Sequence, residues 1–544
     1  MSLKNDSREQ VFWGCRPDVW AGLLILGITA LRLWFVLSGQ LDLVQDEAQY
    51  WDWSRTLQLS YFTKGPLIAY IIGAGSWLFG DTALGVRSGA IAGSLLSQCI
   101  LYLGISRSWG RPRLGLLTLV VLNSTIFFMA SGVLMTTDSP LMACWWAALF
   151  ALYEAGRRPE RLWPFVVLGV AVAVGTWGKY MMLAFSVTAI LYGLMLMRRM
   201  QAGRLFWKRL SWALLAGSVL GLLPILLWNL GNDFAGIRHV AQLGGMTGKG
   251  SEVWLRFDRF PEYFGSQLGL LLPWWFCFCV YGAWGVLTRL FGSRARAARA
   301  TESLEYGQAA LLAVGFWPIW GFFAVWSVHT KVHPNWSAVS YASGLILAAV
   351  VWDALWRELS GRDWRVWLWP VVGAALFAVF LVQDHLPIPW RVEGRVPFTE
   401  TSFEFENPAL HLKGWSDLGR EVDELRRTRF EDPDSVFLFG DHYDVTSALS
   451  FFVPGQQRAY CVATDRRLNQ YDLWSGPDLP LGSGAIFVRK GFDKGLLPEV
   501  PPLFDNIEGM NYQSTHDGRP ARRFTIFLCH GYRGEWPRMV GTEY

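Results

Sequence analysis

The residues of this chain that could do chemistry stand in short polar segments between long apolar runs. Asp46 and Glu47 follow the first apolar run, Tyr61 and Lys64 come shortly after them, and Asp138 follows the third run. A carboxylate can take the proton of a hydroxyl as a general base. A cation stabilises the negative charge that develops on a leaving phosphate. These residue types favour transfer of a group from a phosphate-linked donor to a hydroxyl, with Asp46, Glu47 and Asp138 as candidate catalytic residues.

Further basic and polar residues occur in later segments on the same predicted side. With Lys64, the candidate ligands of the donor phosphate are Arg238, His239 and Lys331. The residues expected to contact the substrate are Lys179, His333 and Asn335. The chain has no P-loop and no Gly-rich turn between a strand and a helix. No basic tract alternates with aromatic residues, so a nucleic-acid partner is not expected.

The histidines also invite a metal interpretation. His329 and His333 stand four residues apart, but no carboxylate or Cys accompanies them at ligand spacing. We therefore predict no metal ligands and no required cofactor, and a divalent metal stays as the alternative.

Each of these residues also has a purely structural interpretation. Asp46 and Glu47 could stabilise the start of a helix, where acidic side chains are favoured, and Asp138 could do the same. Lys64 and Lys179 could extend their amines to lipid headgroups. The sequence leaves these alternatives open.

The elements that must position these residues are predicted to lie in a bilayer. Hydrophobic residues make up 52% of the 544 residues and charged residues only 17%, whereas a soluble chain usually has about 25% charged residues. Eleven runs are long enough to span a membrane: 18–38, 83–106, 114–131, 139–155, 162–178, 180–197, 210–230, 264–289, 308–327, 334–356 and 366–383. A twelfth run, 66–79, is short and is predicted to lie in the membrane interface.

Arg and Lys in the loops predict the orientation. With the N-terminus in the cytoplasm, the basic clusters at 107–113, 157–161, 198–209, 289–299 and 357–365 all fall on the cytoplasmic side, as the positive-inside rule requires. The candidate site then faces the opposite side of what we expect to be a bacterial inner membrane.

The polar tail predicts a second domain. We divide the chain into a membrane domain, 1–384, and an extracytoplasmic α/β domain, 385–544. Helices are expected at 415–430 and 444–452, and strands at 435–440, 458–463, 484–489 and 524–529. Cys461 and Cys529 lie in this tail, and they are either free or paired in one disulfide.

Several phrases of the sequence resemble the GT-C glycosyltransferases. They are Asp46-Glu47-Ala, Tyr61-Phe-Thr-Lys64-Gly-Pro-Leu, Thr137-Asp138-Ser-Pro-Leu, GTWGKY at 175–180, HPNW at 333–336 and NQYDLW at 469–474. The resemblance is to the bacterial family-39-type enzymes and to the lipid A aminoarabinose transferase group. It covers the membrane part and, less specifically, the tail.

The resemblance implies an inverting, single-displacement transfer from a polyprenyl-phosphate sugar. Asp46 would be the general base, and Asp138 would orient the acceptor or share that role. Tyr61 and Lys64 match positions that hold the lipid phosphate in the aminoarabinose transferase. That enzyme has Glu where this chain has Thr63, and its Glu helps to bind a metal, so a metal site of that type is not implied here. The implied acceptor is lipid A, its core sugars, another envelope glycan or a protein hydroxyl.

Three other classes remain as alternatives. A transporter or flippase of lipid-linked sugars usually has internal repeats and ionisable residues at the membrane midplane, and neither occurs in this sequence. A polysaccharide ligase or polymerase would also face outwards, but the two acidic loops support it less well. A membrane sensor would leave the grouping of Asp46, Asp138 and Lys64 unexplained.

Overall fold

The apolar first part of the chain is helical, and the polar tail is built around a sheet. The computed structural model describes residues 15–198, 203–243, 256–292, 295–359, 364–382, 391–395, 402–406, 412–463 and 467–537. The predicted boundary between domains, at 384/385, lies outside the described residues.

All eleven runs predicted as spans contain helix. The helices of this part are α1 (Pro17–Leu37), α2 (Gln45–Ser54), α3 (Leu67–Phe79), α4 (Ala83–Leu103), α5 (Pro112–Leu122), α6 (Ile126–Ser131), α7 (Asp138–Arg157), α8 (Trp163–Gly178), α9 (Phe185–Met197), α10 (Arg204–Leu230), α11 (Ala235–Leu243), α12 (Arg259–Leu271), α13 (Pro273–Leu290), α14 (Arg296–Ala300), α15 (Tyr306–Trp326), α16 (Tyr341–Leu359) and α17 (Arg365–Val382). The run predicted to lie in the interface is α3. Its position relative to a membrane remains a prediction.

Fewer helices than eleven are individually long enough to span. Within the described part of the chain, six stretches have the required length and apolar composition: Pro17–Leu37, Ala83–Ser108, Tyr180–Met197, Arg204–Leu230, Tyr306–Trp326 and Ala338–Leu359. The pair α12 and α13 makes a seventh if the two form one broken span. The protein is therefore a multi-pass membrane protein, and the count of eleven spans stays a prediction.

Two of the predicted spans are broken in the structure. The run 264–289 bends by 104° between α12 and α13. Leu272 there has a φ of +68°, and Pro273 opens α13. Proline has no N–H to continue a helix, so an apolar run that is continuous in sequence is not one straight helix. The run 114–131 is likewise divided into α5 and α6.

The outer surface of the helical part is apolar. α16 lies at the centre and is almost wholly buried, whereas α1 and α10 expose large side chains such as Leu23, Leu26, Leu215 and Val219. Exposed apolar area on this scale marks a surface that is covered by lipid or by another protein. A bilayer around the helical part would cover this apolar surface.

The tail contains a small α/β unit, as predicted. Its elements are β1 (Arg391–Arg395), β2 (Ser402–Glu406), α18 (Trp415–Arg429), β3 (Phe437–Gly440), α19 (Tyr443–Phe452), β4 (Tyr460–Cys461), β5 (Ala485–Lys490), β6 (Asn506–His516) and β7 (Arg519–His530). β1 and β2 form a separate antiparallel pair, and the main sheet has the order β4-β3-β5-β7-β6. Both predicted helices and four strands are present, while β1, β2 and β6 were not predicted.

The alternative of a disulfide between Cys461 and Cys529 is wrong. Both thiols are buried, and no disulfide joins them. Cys461 is on β4 and Cys529 on β7, with β3 and β5 between them. Three steps of the sheet separate the two strands by about 14 Å, which is beyond the reach of a disulfide.

The α/β unit packs on the segment that follows α1. The Asp42 carboxylate accepts hydrogen bonds from the backbone N–H groups of Trp415 (2.8 Å) and Ser416 (3.3 Å) at the start of α18. The ring of Phe451 on α19 meets the edge of Trp51 on α2 at a centroid distance of 4.9 Å. The tail is thus attached directly to the loop that carries the first acidic pair.

Candidate active site

The two adjacent acids on α2 have different surroundings, because successive helix residues point about 100° apart. Glu47 is fully buried in an ion pair with Arg87, with 2.8 Å between Nη2 and Oε2. Its carboxylate also accepts hydrogen bonds from the backbone N–H groups of Val44 (2.9 Å) and Met135 (2.8 Å). Both carboxylate oxygens are occupied, so Glu47 joins the start of α2 to α4 and to the segment before α7.

Asp46 instead opens into a recess between the helical part and the tail. Its side chain is exposed to that recess, and its Oδ1 accepts a hydrogen bond of 3.3 Å from the Tyr443 hydroxyl. The protein atoms around the recess raise the pKa of the Asp46 carboxyl by desolvation, and the charge of Lys64 opposes this shift. An accessible carboxylate with a raised pKa is suited to accept a proton near neutral pH.

Asp138 brings together three predicted site residues from separate parts of the chain. It is the first residue of α7 and is buried. Lys179 Nζ lies 2.8 Å from its Oδ1, and Asn335 donates a hydrogen bond of 2.7 Å from Nδ2 to its Oδ2. Lys179 follows α8, and Asn335 lies in the 3₁₀ turn Pro334–Trp336. The arrangement fixes Asp138 by charge and by hydrogen bonding.

An apolar cavity of about 480 Å³ adjoins these residues. Its lining residues are Thr63, Lys64, Gly65, Lys179, Tyr180, Met181, Val240, Phe322, Phe323, Trp326 and Trp336. Two lysines on mostly apolar walls suit a ligand that has a hydrocarbon chain and an anionic head.

Lys64 is placed by a close approach of two backbone segments. A Cβ at Gly65 would lie 2.2 Å from the backbone oxygen of Trp177, so only glycine fits beside Lys64. Desolvation lowers the pKa of Lys64, as does the nearby Lys179, whereas Asp46 and Asp138 raise it. Lys64 therefore lies within electrostatic range of both acids.

The other predicted phosphate ligands differ in position. The Tyr61 hydroxyl is buried, donates towards the carbonyls of Trp53 and Thr56 (3.1 Å each), and accepts from the backbone N–H of Gln58 at 3.1 Å. Through those contacts, Tyr61 stabilises the loop after α2. Its role as a phosphate ligand stays a prediction.

Three other predicted phosphate ligands, His239, Arg238 and Lys331, differ in burial. The buried ring of His239 packs on Phe62 at a centroid distance of 4.7 Å, and desolvation lowers the pKa of His239 to about 4. This imidazole is uncharged at neutral pH. Arg238 is exposed on α11, and Lys331 pairs with Glu262 at 2.9 Å on the surface.

His333 lies beside Asn335 and packs against Trp336 with 5.4 Å between ring centroids. Desolvation lowers the pKa of His333, and the charge of Lys331 acts in the same direction. His333 thus joins the site as a largely neutral ring that can offer a hydrogen bond.

A metal does not fit the side chains at this site. Within the described ranges, no group of three or more His, Cys, Asp or Glu side chains could hold a metal ion. The buried Nδ1 of His239 makes no hydrogen bond, but a single imidazole is too few donors to hold a metal ion.

Two functional candidates were missed by the sequence analysis because they lie in the tail. Tyr443 opens α19 and reaches Asp46. Arg467 lies close enough to lower the pKa of His239 and Lys64 by its charge. Neither residue stands in a distinctive motif, so only the packing of the tail on α2 brings them to the site.

Comparison with known proteins finds a family model over part of the chain and solved structures with the same fold. Residues 63–228 match the family model of dolichyl-phosphate-mannose-protein mannosyltransferases. The fold is that of the solved ArnT of Cupriavidus metallidurans. The apo form has a TM-score of 0.53 at 16% identity and covers 94% of this chain and 98% of that one. The form bound to undecaprenyl phosphate gives 0.54 at 16% identity, covering 93% and 97%. The resemblance to GT-C glycosyltransferases predicted from the sequence is confirmed.

Individual relatives are more distant in sequence. The chain is similar to the lipid A galacturonosyltransferase RgtD of Rhizobium johnstonii, with 26% identity over 333 residues, which are 61% of this chain and 64% of the relative. It is also similar to the undecaprenyl phosphate-alpha-4-amino-4-deoxy-L-arabinose arabinosyl transferase of Serratia proteamaculans, with 27% identity over 189 residues, 32% of this chain and 34% of the relative. The matched region therefore spans less than two thirds of the length of either relative.

Proposed function

We propose that the protein is an inverting glycosyltransferase that moves a sugar from a polyprenyl-phosphate donor to a hydroxyl of an envelope glycolipid. The observation that carries the proposal is the Asp46 carboxylate, which is open to a recess and lies within electrostatic range of Lys64, a residue that lines the apolar cavity. One wall of this site can activate a hydroxyl, and the adjoining cavity can hold a lipid phosphate.

The reaction follows from these groups. The Asp46 carboxylate takes the proton of the acceptor hydroxyl. At the same time, the hydroxyl oxygen of the acceptor bonds to the anomeric carbon of the donor sugar. The bond between that carbon and the phosphate oxygen breaks, and the electron pair leaves with polyprenyl phosphate. Lys64 stabilises the charge that develops on the phosphate. A phosphate is already a stable anion, since its second pKa is about 6, so its departure needs no general acid.

The ligand preferences of the relatives support a lipid donor and a lipid acceptor. One relative is named for lipid A as its acceptor, the other for undecaprenyl phosphate as the carrier of its sugar. The cavity beside Lys64 has apolar walls that include Phe322, Phe323 and Trp326, which suit an isoprenoid chain. We infer that undecaprenyl phosphate or a similar lipid carries the donor sugar and that lipid A or its core accepts it.

Asp138 has a different role from Asp46. Lys179 and Asn335 hold both of its oxygens, so it is poorly placed to accept a proton. We infer that Asp138 keeps Lys179 and the turn at Asn335 in position beside the cavity, where they contact the substrate. Glu47 acts in the same indirect way through Arg87.

The location follows from the charges in the loops. We propose eleven spans in a bacterial inner membrane, a cytoplasmic N-terminus and an outward-facing site beneath the tail. A membrane-borne donor reaches such a site by lateral diffusion, and its exposure on the outer face gives access to envelope acceptors.

A protein hydroxyl is the second candidate acceptor. The matched family model is named for protein mannosyltransferases. The test must therefore examine lipids and proteins together.

Mass spectrometry of the envelope tests the proposal. Lipid A, surface glycans and envelope proteins are compared in three strains. One strain lacks the gene, and the other two express the wild type or Asp46→Asn to the same level. We expect a sugar mass increment on lipid A or its core only with the wild type. An increment on a protein would move the acceptor to that class. Three identical profiles, with folded protein present, would overturn the transferase proposal.

A further inference from the structure

The geometry points to the tail as a part of the active site, with Tyr443 as a positioning residue that orients and tunes the Asp46 carboxylate. This inference rests on the proposed function for its meaning, but its geometry stands alone. The Tyr443 hydroxyl donates to Asp46 Oδ1 at 3.3 Å, although the two residues are 397 positions apart in the chain.

The start of α19 is held firmly enough to place that hydroxyl. Asp444, next to Tyr443, accepts from the N–H of Val445 at 2.7 Å, is 3.0 Å from His442 Nδ1, and pairs with Lys490. Burial alone would raise the pKa of Asp444, but the hydrogen bonds from His442 and Lys490 lower it to about 2. Asp444 therefore stays ionised, and its contacts fix the first turn of α19.

The tail is also attached to both loops that carry the chemistry. Ser447 on α19 donates to the carbonyl of Gln45, immediately before Asp46 (3.3 Å). Gln470 accepts from the backbone N–H of Phe62, two residues before Lys64 (2.8 Å). A shift of the tail would thus move the base and the phosphate-binding lysine together.

The groups that face Asp46 come from three segments, and their effects differ in sign. On its own helix Glu47 raises the pKa of Asp46, and on α19 Asp444 does the same. Lys64, from the loop before α3, and the hydrogen bond from Tyr443 lower it. Of these groups only Tyr443 is a neutral hydrogen-bond donor, and it aims one carboxylate oxygen while favouring the ionised form.

The alternative is that Tyr443 only helps to dock the tail. Tyr471 offers a matched control, because its hydroxyl donates to Asp52 at 2.8 Å inside the same interface and away from Asp46. If Tyr443 acts through docking alone, removal of either hydroxyl should have the same consequences.

The test measures the protonation of Asp46 directly in the purified full-length protein. Carbodiimides modify carboxyl groups in their protonated form, so modification of the Asp46 peptide by dicyclohexylcarbodiimide, followed by mass spectrometry across pH, reports its titration without an enzyme assay. In Tyr443→Phe the half-modification pH should rise, because the ionised carboxylate has lost a hydrogen bond. In Tyr471→Phe it should stay at the wild-type value while the thermal unfolding midpoint falls.

Activity gives the second readout, with lipid A as acceptor and an undecaprenyl-phosphate sugar as donor. For Tyr443→Phe we expect kcat/KM to fall roughly three- to tenfold on the acid side, since hydrogen bonds to charged groups are worth more than neutral ones, and to converge with the wild type at alkaline pH. Titration curves of Tyr443→Phe that superimpose on those of the wild type would overturn the inference. A wild type without transferase activity, but with the shifted titration, would contradict the proposed function and leave the positioning role supported.

Discussion

At the scale of single residues, the two adjacent acids on α2 have different surroundings and therefore different proposed roles. Glu47 is surrounded by Arg87 and two backbone donors and has no free oxygen, whereas Asp46 faces the recess. A dipeptide of two acids does not tell which one is the base. The packing of α2 on α4 favours Asp46 as the proposed base, because Arg87 pairs with Glu47.

Substitution of each acid by its amide should therefore give opposite results. Glu47→Gln leaves the Arg87 charge buried without its partner, and breaking a buried pair typically costs about 3–5 kcal/mol of unfolding free energy. Asp46→Asn removes a charge from an open recess and should abolish activity while changing stability by less than about 0.5 kcal/mol. Tryptophan fluorescence during thermal unfolding in detergent measures the stability of both variants, and a sugar-transfer assay measures their activity. A Glu47→Gln protein with the wild-type midpoint would contradict the assignment.

At the scale of elements, the sequence predicts best where the apolar pattern is simple. The helices of the tail were predicted almost to their ends, at 415–430 and 444–452. In the first of them, charged and apolar residues alternate at helical spacing. β6 was missed because most of its side chains are polar and partly exposed. The bend at Leu272 was missed because hydropathy does not register a change of direction.

The same limit applies to the elements that meet at the site. Asp138 and Asn335 were both chosen from the sequence, but their hydrogen bond joins residues 197 positions apart. The sequence predicts that the loops of Asp138 and Asn335 lie on the same side of the membrane, so these residues could meet. It could not predict which pairs form, since this depends on how α7, α8 and the turn before α16 pack. Tyr443 escaped notice for the same reason.

The junction between α18 and the first loop makes a prediction at this scale. Asp42 accepts from two N–H groups at the N-terminus of α18, where a carboxylate is favoured. Asp42→Ala should lower the unfolding free energy by about 1–2 kcal/mol, as the loss of a helix cap does, and reduce activity because α18 and α19 move away from α2. Asp258→Ala, which removes only a surface pair with Arg256, is the control. Equal unfolding midpoints for the two variants would argue against the junction.

At the scale of the whole molecule, two kinds of information specify the architecture. The apolar runs predict the helices, and the arginine-rich loops predict on which side of the membrane each connection lies. Neither indicated that the tail folds back over the first loop, because the contacts of Phe451 and Gln470 are made by ordinary core and amide side chains. The recess at Asp46 exists only where the two parts meet, so neither part alone contains the site.

Orientation is the property of the whole molecule most open to a direct test. Cys15 is exposed near the start of α1, and Leu481 is exposed in the tail. In intact spheroplasts, a membrane-impermeant maleimide should label Leu481→Cys but leave Cys15 unlabelled until the membrane is permeabilised, because eleven spans put the two ends on opposite faces. Cys461 and Cys529 are buried, which keeps the background of the tail low. Labelling of Cys15 without permeabilisation would place the N-terminus outside. Exclusion of Leu481→Cys would place the tail, and with it the recess at Asp46, in the cytoplasm, where an acceptor on the outer face of the membrane could not reach it.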